Sequence, residues 1–455
     1  MGQTASEDFV QREQPIRKLL YPLLAFMGAQ SSSGILLIAC TVIALLWANS
    51  PWGHTYDAFW HTKLVVGVGG YQLSLDLLHW INDGLMALFF FVVGLEIKRE
   101  LLVGELSSLR QASLPIAAAV GGMLAPAAIY TLFNWGGNGS HGWGIPMATD
   151  IAFALGVLSL LGSRIPNALK VFLTALAIVD DIGAVLVIAL FYTEDTSLRA
   201  LLFASVVFLL LVACNVLHVR HPIPYALLGL VMWVAFLESG VHASISGVLV
   251  ALTIPARTRV DTKEFLDRTK ELLEEFDAAG EEGESILTNA GQQAAIREIQ
   301  ALSESAQTPM QRLDHMLHPW VAFAIMPVFA LANAGVHLGG QIDLFSPVTL
   351  GVIAGLVLGK QIGIFVASWG SARLGLADLP EDTSWRMVYG AGWLGGIGFT
   401  MSLFIATLAF GNDQRLLDDA KVGILVGSLI SGVFGLLYLR RVISRPTATA
   451  VTTTS

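Results

Sequence analysis

The chain has 455 residues, 54% of them hydrophobic and only 13% charged, with a formal net charge of -9 and a mean hydropathy of +0.66. Average soluble domains carry about 25% charged residues, so this composition excludes a globular protein that covers itself in water. The negative balance does not mark an acidic soluble surface either, because much of it lies in residues 261–304. No nucleic-acid partner is expected.

The apolar residues come in blocks, for example 34–47, 201–216 and 422–439. A hydrocarbon core about 30 Å thick takes roughly 20 residues per helical span. The chain therefore reads as an all-α polytopic membrane protein with about twelve transmembrane helices. They fall near 32–49, 77–99, 112–134, 143–163, 168–192, 198–218, 222–238, 240–256, 316–337, 347–372, 386–410 and 418–440.

In chain order, residues 1–31 come first; they lack the basic stretch and small-residue cleavage site of a signal peptide. Arg12, Arg17 and Lys18 lie in this segment, Lys98, Arg99 and Arg110 between the second and third spans, and Arg164 and Lys170 after the fourth. Arg220 follows the sixth span, Arg257 and Arg259 the eighth, Arg373 the tenth, and Arg440, Arg441 and Arg445 the last. The alternate loops hold few Lys or Arg. The positive-inside rule then predicts that residues 1–31 and the tail 441–455 are both cytoplasmic. Cys40 and Cys214 sit inside apolar blocks, where no disulfide is expected.

Two connections are more than turns. In the first outer loop, residues 63–75 carry two β-prone runs around Gly69-Gly70, the pattern of a small β-hairpin. Spans 1–8 (32–256) and spans 9–12 (316–440) are separated by a cytoplasmic insertion, 257–315. There Phe265, Leu266, Leu272, Leu273 and Phe276, then Ile286, Leu287, Ile296, Ile299 and Leu302, recur at helical spacing among charges. The pattern fits a pair of amphipathic helices or a solvated linker.

The fifth span reads ALAIVDDIGAVLVIALF, with Asp180 and Asp181 side by side in an apolar run. A charge at the bilayer centre costs about 2.5–3.5 kcal/mol on insertion scales, and intramembrane acids mark ion or proton pathways. Neighbouring helical residues point about 100° apart, so one carboxylate can meet an ion while the other meets a partner inside the bundle. A purely structural pair tied up by hydrogen bonds is the alternative. In the fourth span, GWGIPMATDIAFALG places Asp150 four residues after Pro146. A break there would gather the Thr149 hydroxyl, freed carbonyls and the Asp150 carboxylate, oxygen ligands suited to a hard cation. Lys360, central in the tenth span, cannot reach a membrane edge; it must pair with a buried carboxylate or give up its proton.

Gly390, Gly392, Gly395, Gly396 and Gly398 weaken the first half of the eleventh span. Spans 3–5 and 10–12 are thus two groups of three, each with an interrupted middle member. That is the mark of inverted repeats around a midplane site; tight packing alone would also use such glycines.

At these residues the chain resembles the NhaA family of sodium–proton antiporters, from about residue 20 to residue 439. The resemblance rests jointly on WINDGLMALFFFVVGLEIKREL, ATDIAFALG, LAIVDDIGAVLVIALFYT, GVHASISGV, LHPWVAFAIMPVFALANAG and GGIGFTMSLFIATLAFG. It implies that Asp181 is the main ligand for transported Na+ or Li+ and the proton carrier. Asp180 would be the accessory carboxylate, paired with Lys360 in one protonation state, and Thr149 a further ion ligand. Thr149 and Asp150 would sit where two interrupted helices cross, with Asp150 offsetting helix N-termini and Lys360 offsetting C-termini. It further implies a homodimer through the outer hairpin, a bacterial cytoplasmic membrane, and a pH sensor at Glu96, Arg99, Glu100, Asp314, His315 and His318. The insertion at 261–304 is longer than the family pattern leads one to expect.

The function expected is a secondary transporter, not an enzyme. It would exchange cytoplasmic Na+ or Li+ for external H+ by alternating access at a carboxylate site, electrogenically and under pH control, with no cofactor beyond the transported ions. The rivals are an intramembrane aspartyl hydrolase, with Asp150 as second acid, and an uncoupled cation or proton channel.

Overall fold

Backbone polar groups inside a bilayer must be satisfied within their own segment, and the chain is accordingly built almost wholly of helices. The computed structural model describes residues 32–68, 71–193, 196–258, 260–280, 285–337, 343–380 and 382–443. Residues 1–31, Gly69-Gly70, Arg259, the break at 281–284 and the tail from 444, with Arg445, lie outside the described residues.

In chain order, α1 (Ser32–Ala48) turns through 114° into α2 (Gly53–Trp60). β1 (Lys63–Val68) pairs antiparallel with β2 (Tyr71–Asp76), Lys63 opposite Asp76. Next come α3 (Leu77–Val103), α4 (Leu109–Asn134), a 3-10 segment Asn138–Met147, α5 (Ile151–Ser159) and α6 (Asn167–Phe191). They are followed by α7 (Leu198–Val216), α8 (Pro222–Leu237), α9 (Ser244–Thr253), α10 (Thr262–Ala278) and α11 (Ala290–Ala306). α12 (Pro309–Asn333) and α13 (Pro347–Arg373) precede α14 (Trp385–Gly395), α15 (Phe399–Phe410) and α16 (Gln414–Ile443).

Among the described residues, seven helices are long and apolar enough to cross a membrane, and ten if each bent pair is one span. The eighth span expected near 240–256 is shorter than that: α9 has 10 residues. Gly240, at φ 79°, holds the chain in a turn before it, and Pro255 stops its far end. α8 has 16 residues, also under a full span. The fourth and eleventh spans are both broken, each bending by 45°. Pro146 does not make the break itself; it lies inside the 3-10 segment, and the extended residues 148–150 follow it.

The chain forms two compact units. Among the described residues, those within 32–86, 100–193 and 321–443 make the first, in which α13 lies along α4 and α16 packs on α13, α14 and α15. The α4–α13 approach needs glycine on both sides. A Cβ on Gly121 would stand 2.2 Å from the Gly363 carbonyl oxygen, and one on Gly363 only 2.0 Å from that of Gly121. Small residues at helix crossings are how apolar helices associate where no hydrophobic force acts between them. α13 also contains a widened π-type turn, Gly355–Gly359, directly before Lys360.

Ala87–Arg99 and Glu194–Trp320 make the second unit. Within it α7 packs on α8, and α9 packs on both. A Cβ on Gly247 of α9 would meet the Ala87 carbonyl oxygen at 2.1 Å, so glycine is required there. The insertion is a helical pair rather than a plain linker. Asp261 caps α10 by accepting from Glu264 N at 2.8 Å, and Asn289 caps α11 by accepting from Gln292 N at 3.0 Å. Leu272, Gln292 and Ala295 are buried in the pair, as is the cap Asn289, and Arg268, which donates to Glu271 of its own helix at 2.8 Å, links the two helices by donating to Glu298 at 3.1 Å.

Candidate functional site: a buried charged centre beside two crossed broken helices

The breaks at 148–150 and 396–398 exchange main-chain and side-chain hydrogen bonds. Asp150 N donates to Ile397 O at 2.7 Å, and the Thr149 hydroxyl donates to Gly395 O at 2.8 Å. From the other side Ser402 Oγ donates to Ile145 O at 2.7 Å. Two of these bonds satisfy carbonyls at the ends of helical halves, which a broken helix leaves without partners.

Asp150 meets the two N-termini. Its Oδ1 accepts from Phe153 N of α5 at 2.9 Å, while Oδ2 accepts from Thr400 N of α15 at 3.2 Å and from the Thr400 hydroxyl. Each N-terminus carries partial positive charge, so one carboxylate caps both half-helices. Both oxygens of Asp150 are thereby engaged in capping the two helices.

α6 supplies the aspartate pair. Asp180 is 0% exposed and Asp181 1%, because the helix passes between α4, α5 and α14. Lys360, 0% exposed, places Nζ 2.5 Å from Asp180 Oδ2. Thr149 stands beside the Asp180 carboxylate, and Asp181 lies within reach of the Lys360 charge. Asp180 Oδ1 is buried with no hydrogen-bond partner among the described residues. Thr149, Asp180, Asp181 and Lys360 are thus brought together, with Asp150 one residue from Thr149.

The other sequence-selected residues are not all joined. In the second unit Arg99 Nη1 lies 3.3 Å from Asp314 Oδ2, and His318 Nε2 lies 3.9 Å from Glu96 Oε1. Glu100 accepts from Glu105 N at 3.1 Å, closing the end of its own helix. His315 is exposed and makes no hydrogen bond or ion pair among the described residues.

Sequence reasoning missed Thr400 and Ser428. Ser428 Oγ accepts from Phe399 N, at the start of α15, at 3.2 Å. The signal was present: a hydroxyl residue two places after Gly398, and a small-residue stripe Gly427, Ser428, Ser431, Gly432 on α16. Among the described residues no group of three or more His, Cys, Asp or Glu is placed to hold a metal ion.

A helical membrane protein with carboxylates and a lysine buried beside crossed, interrupted helices belongs to the class of secondary ion transporters. A family model for Na+/H+ antiporter 1 matches residues 24–439. The Na(+)/H(+) antiporter NhaA of Oleidesulfovibrio alaskensis is 54% identical over 429 residues, which is 94% of this chain and 95% of that protein. Those of Koribacter versatilis and Acidithiobacillus ferrooxidans are 52% and 51% identical, covering 94% and 93% of this chain and 93% and 98% of their own. The chain belongs to the Na+/H+ antiporter 1 family, whose members are transporters and not enzymes.

Proposed function

We propose that this antiporter exchanges cytoplasmic Na+, or Li+, for external H+ by alternating access at Asp181 and Asp180, with Thr149 as a neutral ligand. The observation that carries the reading is the buried Lys360–Asp180 pair with Asp181 alongside it. Ionised together, Asp150, Asp180, Asp181 and Lys360 have a net charge of two negatives. The two half-helix N-termini at Asp150 each contribute about half a positive charge and the two C-termini at the crossing about half a negative charge each, so the dipole ends cancel and about two negative charges stay uncompensated. A bare charge does not cross low dielectric readily, so the centre moves only when that charge is neutralised by Na+ or by protons. Both ions then compete for the same oxygens, and exchange is coupled.

The same reading takes spans 3–5 and 10–12 as inverted repeats within about twelve spans, with both termini cytoplasmic in a bacterial inner membrane. Their matching plan of long helix, helix broken at 45°, and long helix supports it. The outer hairpin would join two copies as a homodimer, no resident cofactor takes part, and more than one proton per Na+ would make exchange electrogenic. Glu96, Arg99, Glu100, Asp314, His315 and His318 would set the pH response. The Arg99–Asp314 pair supports a sensor role for that end of α12.

The test is ion exchange in everted vesicles with a pre-formed proton gradient, followed by an acid-accumulating dye on adding Na+, Li+ or K+. Na+-triggered collapse in wild type and none in Asp181→Asn is the expected result. Collapse in Asp181→Asn, or conductance that does not couple the two ions, overturns it.

A further inference from the structure

In the second unit, the start of α7 and the end of α8 are pinned by a main-chain bond from Ser197 N to Ser239 O at 2.9 Å. The groove between the two helices has a volume of about 510 Å³. Phe203, Leu230, Val231 and Val234 line its length, and Arg199 and Glu238 stand at the pinned end. Neither charged side chain makes a hydrogen bond or ion pair among the described residues. Both also sit against the local helix field. Arg199 is in the first turn of α7, whose N-terminus is positive, and Glu238 caps the negative C-terminus of α8. Reversed charges at those two places would have helped each helix, so helix electrostatics do not account for them.

α7 is 19 residues long and among the most lipid-exposed of the spans, with only 17% of its apolar window buried. An occupant of this groove must therefore be apolar along most of its length and carry, at one end, an anion for Arg199 and a cation for Glu238. We infer that the groove is a binding site for a zwitterionic phospholipid, its phosphate on Arg199, its amine on Glu238, and an acyl chain along Phe203, Leu230, Val231 and Val234. Guanidinium matches a phosphate in a two-pronged geometry that lysine lacks. An anionic lipid satisfies only half of the pair and is repelled by Glu238.

The test uses the purified full chain, stripped of lipid in detergent, with native mass spectrometry counting bound lipid. The probes are phosphatidylethanolamine, phosphatidylcholine and phosphatidylglycerol at equal concentration. Wild type is expected to hold the two zwitterionic lipids at least about 5-fold better than phosphatidylglycerol, about the ratio that one exposed charge contact confers. Glu238→Gln should abolish or invert that preference, and Arg199→Ala should weaken binding of all three. Thermal melting of both variants checks that they remain folded. Equal binding of the three lipids by wild type, or a preference that neither variant changes, overturns the site. A shift in the monomer–dimer balance on either substitution, with lipid counts unaltered, overturns it in favour of contact with a second copy.

Discussion

Lys360 and Asp180, 180 residues apart in the chain, form an ion pair 2.5 Å long in which both side chains are 0% exposed. Removing one partner of a buried pair leaves an uncompensated charge, which costs about 3–5 kcal/mol where it cannot be neutralised. Lys360→Ala should therefore lower the melting temperature in detergent. Losing the cation also makes ionised carboxylates costlier, so the exchange profile should move to higher pH. Melting by intrinsic fluorescence and dye-monitored exchange across pH measure the two effects, and an unchanged temperature together with an unchanged profile would sink the assignment.

Asp181, next to Asp180 on α6, lies within reach of the Lys360 charge. On the proposed reading Asp181→Asn removes a carboxylate for which Na+ and H+ compete. Exchange should then be lost while the fold survives, because an amide fills the same space. The check is the vesicle assay beside a melting curve. Loss of folding with loss of activity would make Asp181 structural.

Thr400 fixes Asp150 from α15 with both its backbone N–H and its hydroxyl. Thr400→Val keeps the shape and removes the hydroxyl donor from a buried carboxylate. Hydrogen bonds to charged groups are worth about 1.5–3 kcal/mol, so melting should fall measurably. The expected functional effect is a lower maximal exchange rate, with restoration by Thr400→Ser. Valine behaving as threonine in both assays would show that the backbone N–H alone secures the crossing.

The legibility of this architecture in the sequence varied with the kind of signal. Asp150, Asp180, Asp181 and Lys360 were readable because a charge in an apolar run is costly wherever the helix ends up. The breaks near Thr149 and Gly396 followed from local composition. Thr400 and Ser428 were not readable, because a hydroxyl in an apolar helix is cheap and bonds equally well to its own backbone; only the crossing of distant helices gives each its partner. Hydropathy around 240–256 counts apolar residues without registering the turn at Gly240 and the stop at Pro255, which leave α9 with 10 residues. The elbow between α1 and α2 went unread for the same reason: it depends on Tyr56 donating to Leu331 O and Ala332 O, each at 2.8 Å.

Asp76 anchors the outer hairpin to α3. Its Oδ1 accepts from His79 N at 2.8 Å and lies 2.5 Å from the His79 ring. Burial acts to raise its carboxyl, but the His79 N–H and ring outweigh that and hold it below the usual carboxylate range. A depressed folded value means the stabilisation is present above the unfolded value of about 3.9 and is lost as pH falls through the folded one. Hydrogen exchange of the hairpin amides, corrected for intrinsic rate, should stay flat from neutrality to about pH 4 and accelerate only below it. Acceleration already at pH 5–6 would place the sensitivity elsewhere.

The insertion offers the last test. Its two ends are held together, with Met310 N donating to Pro255 O at 3.2 Å, so residues 261–304 can be removed and the ends rejoined without stretching the frame. The helical pair carries its own caps and its own buried residues, and its removal should not unfold the spans. Its link to the rest of its unit is polar: Glu304 Oε2 lies 3.9 Å from Arg312 Nη1, two residues before Asp314, which pairs with Arg99. Deletion takes away a strongly acidic neighbourhood from those charges and frees Arg312, so the pH dependence of exchange should change. The Na+/Li+/K+ preference should not, because no residue of the insertion is among those gathered at Asp180 and Asp181. Exchange in everted vesicles across pH, repeated with each ion, separates the two. A changed ion preference with an unchanged pH profile would put the segment in contact with the transport path and reverse this assignment.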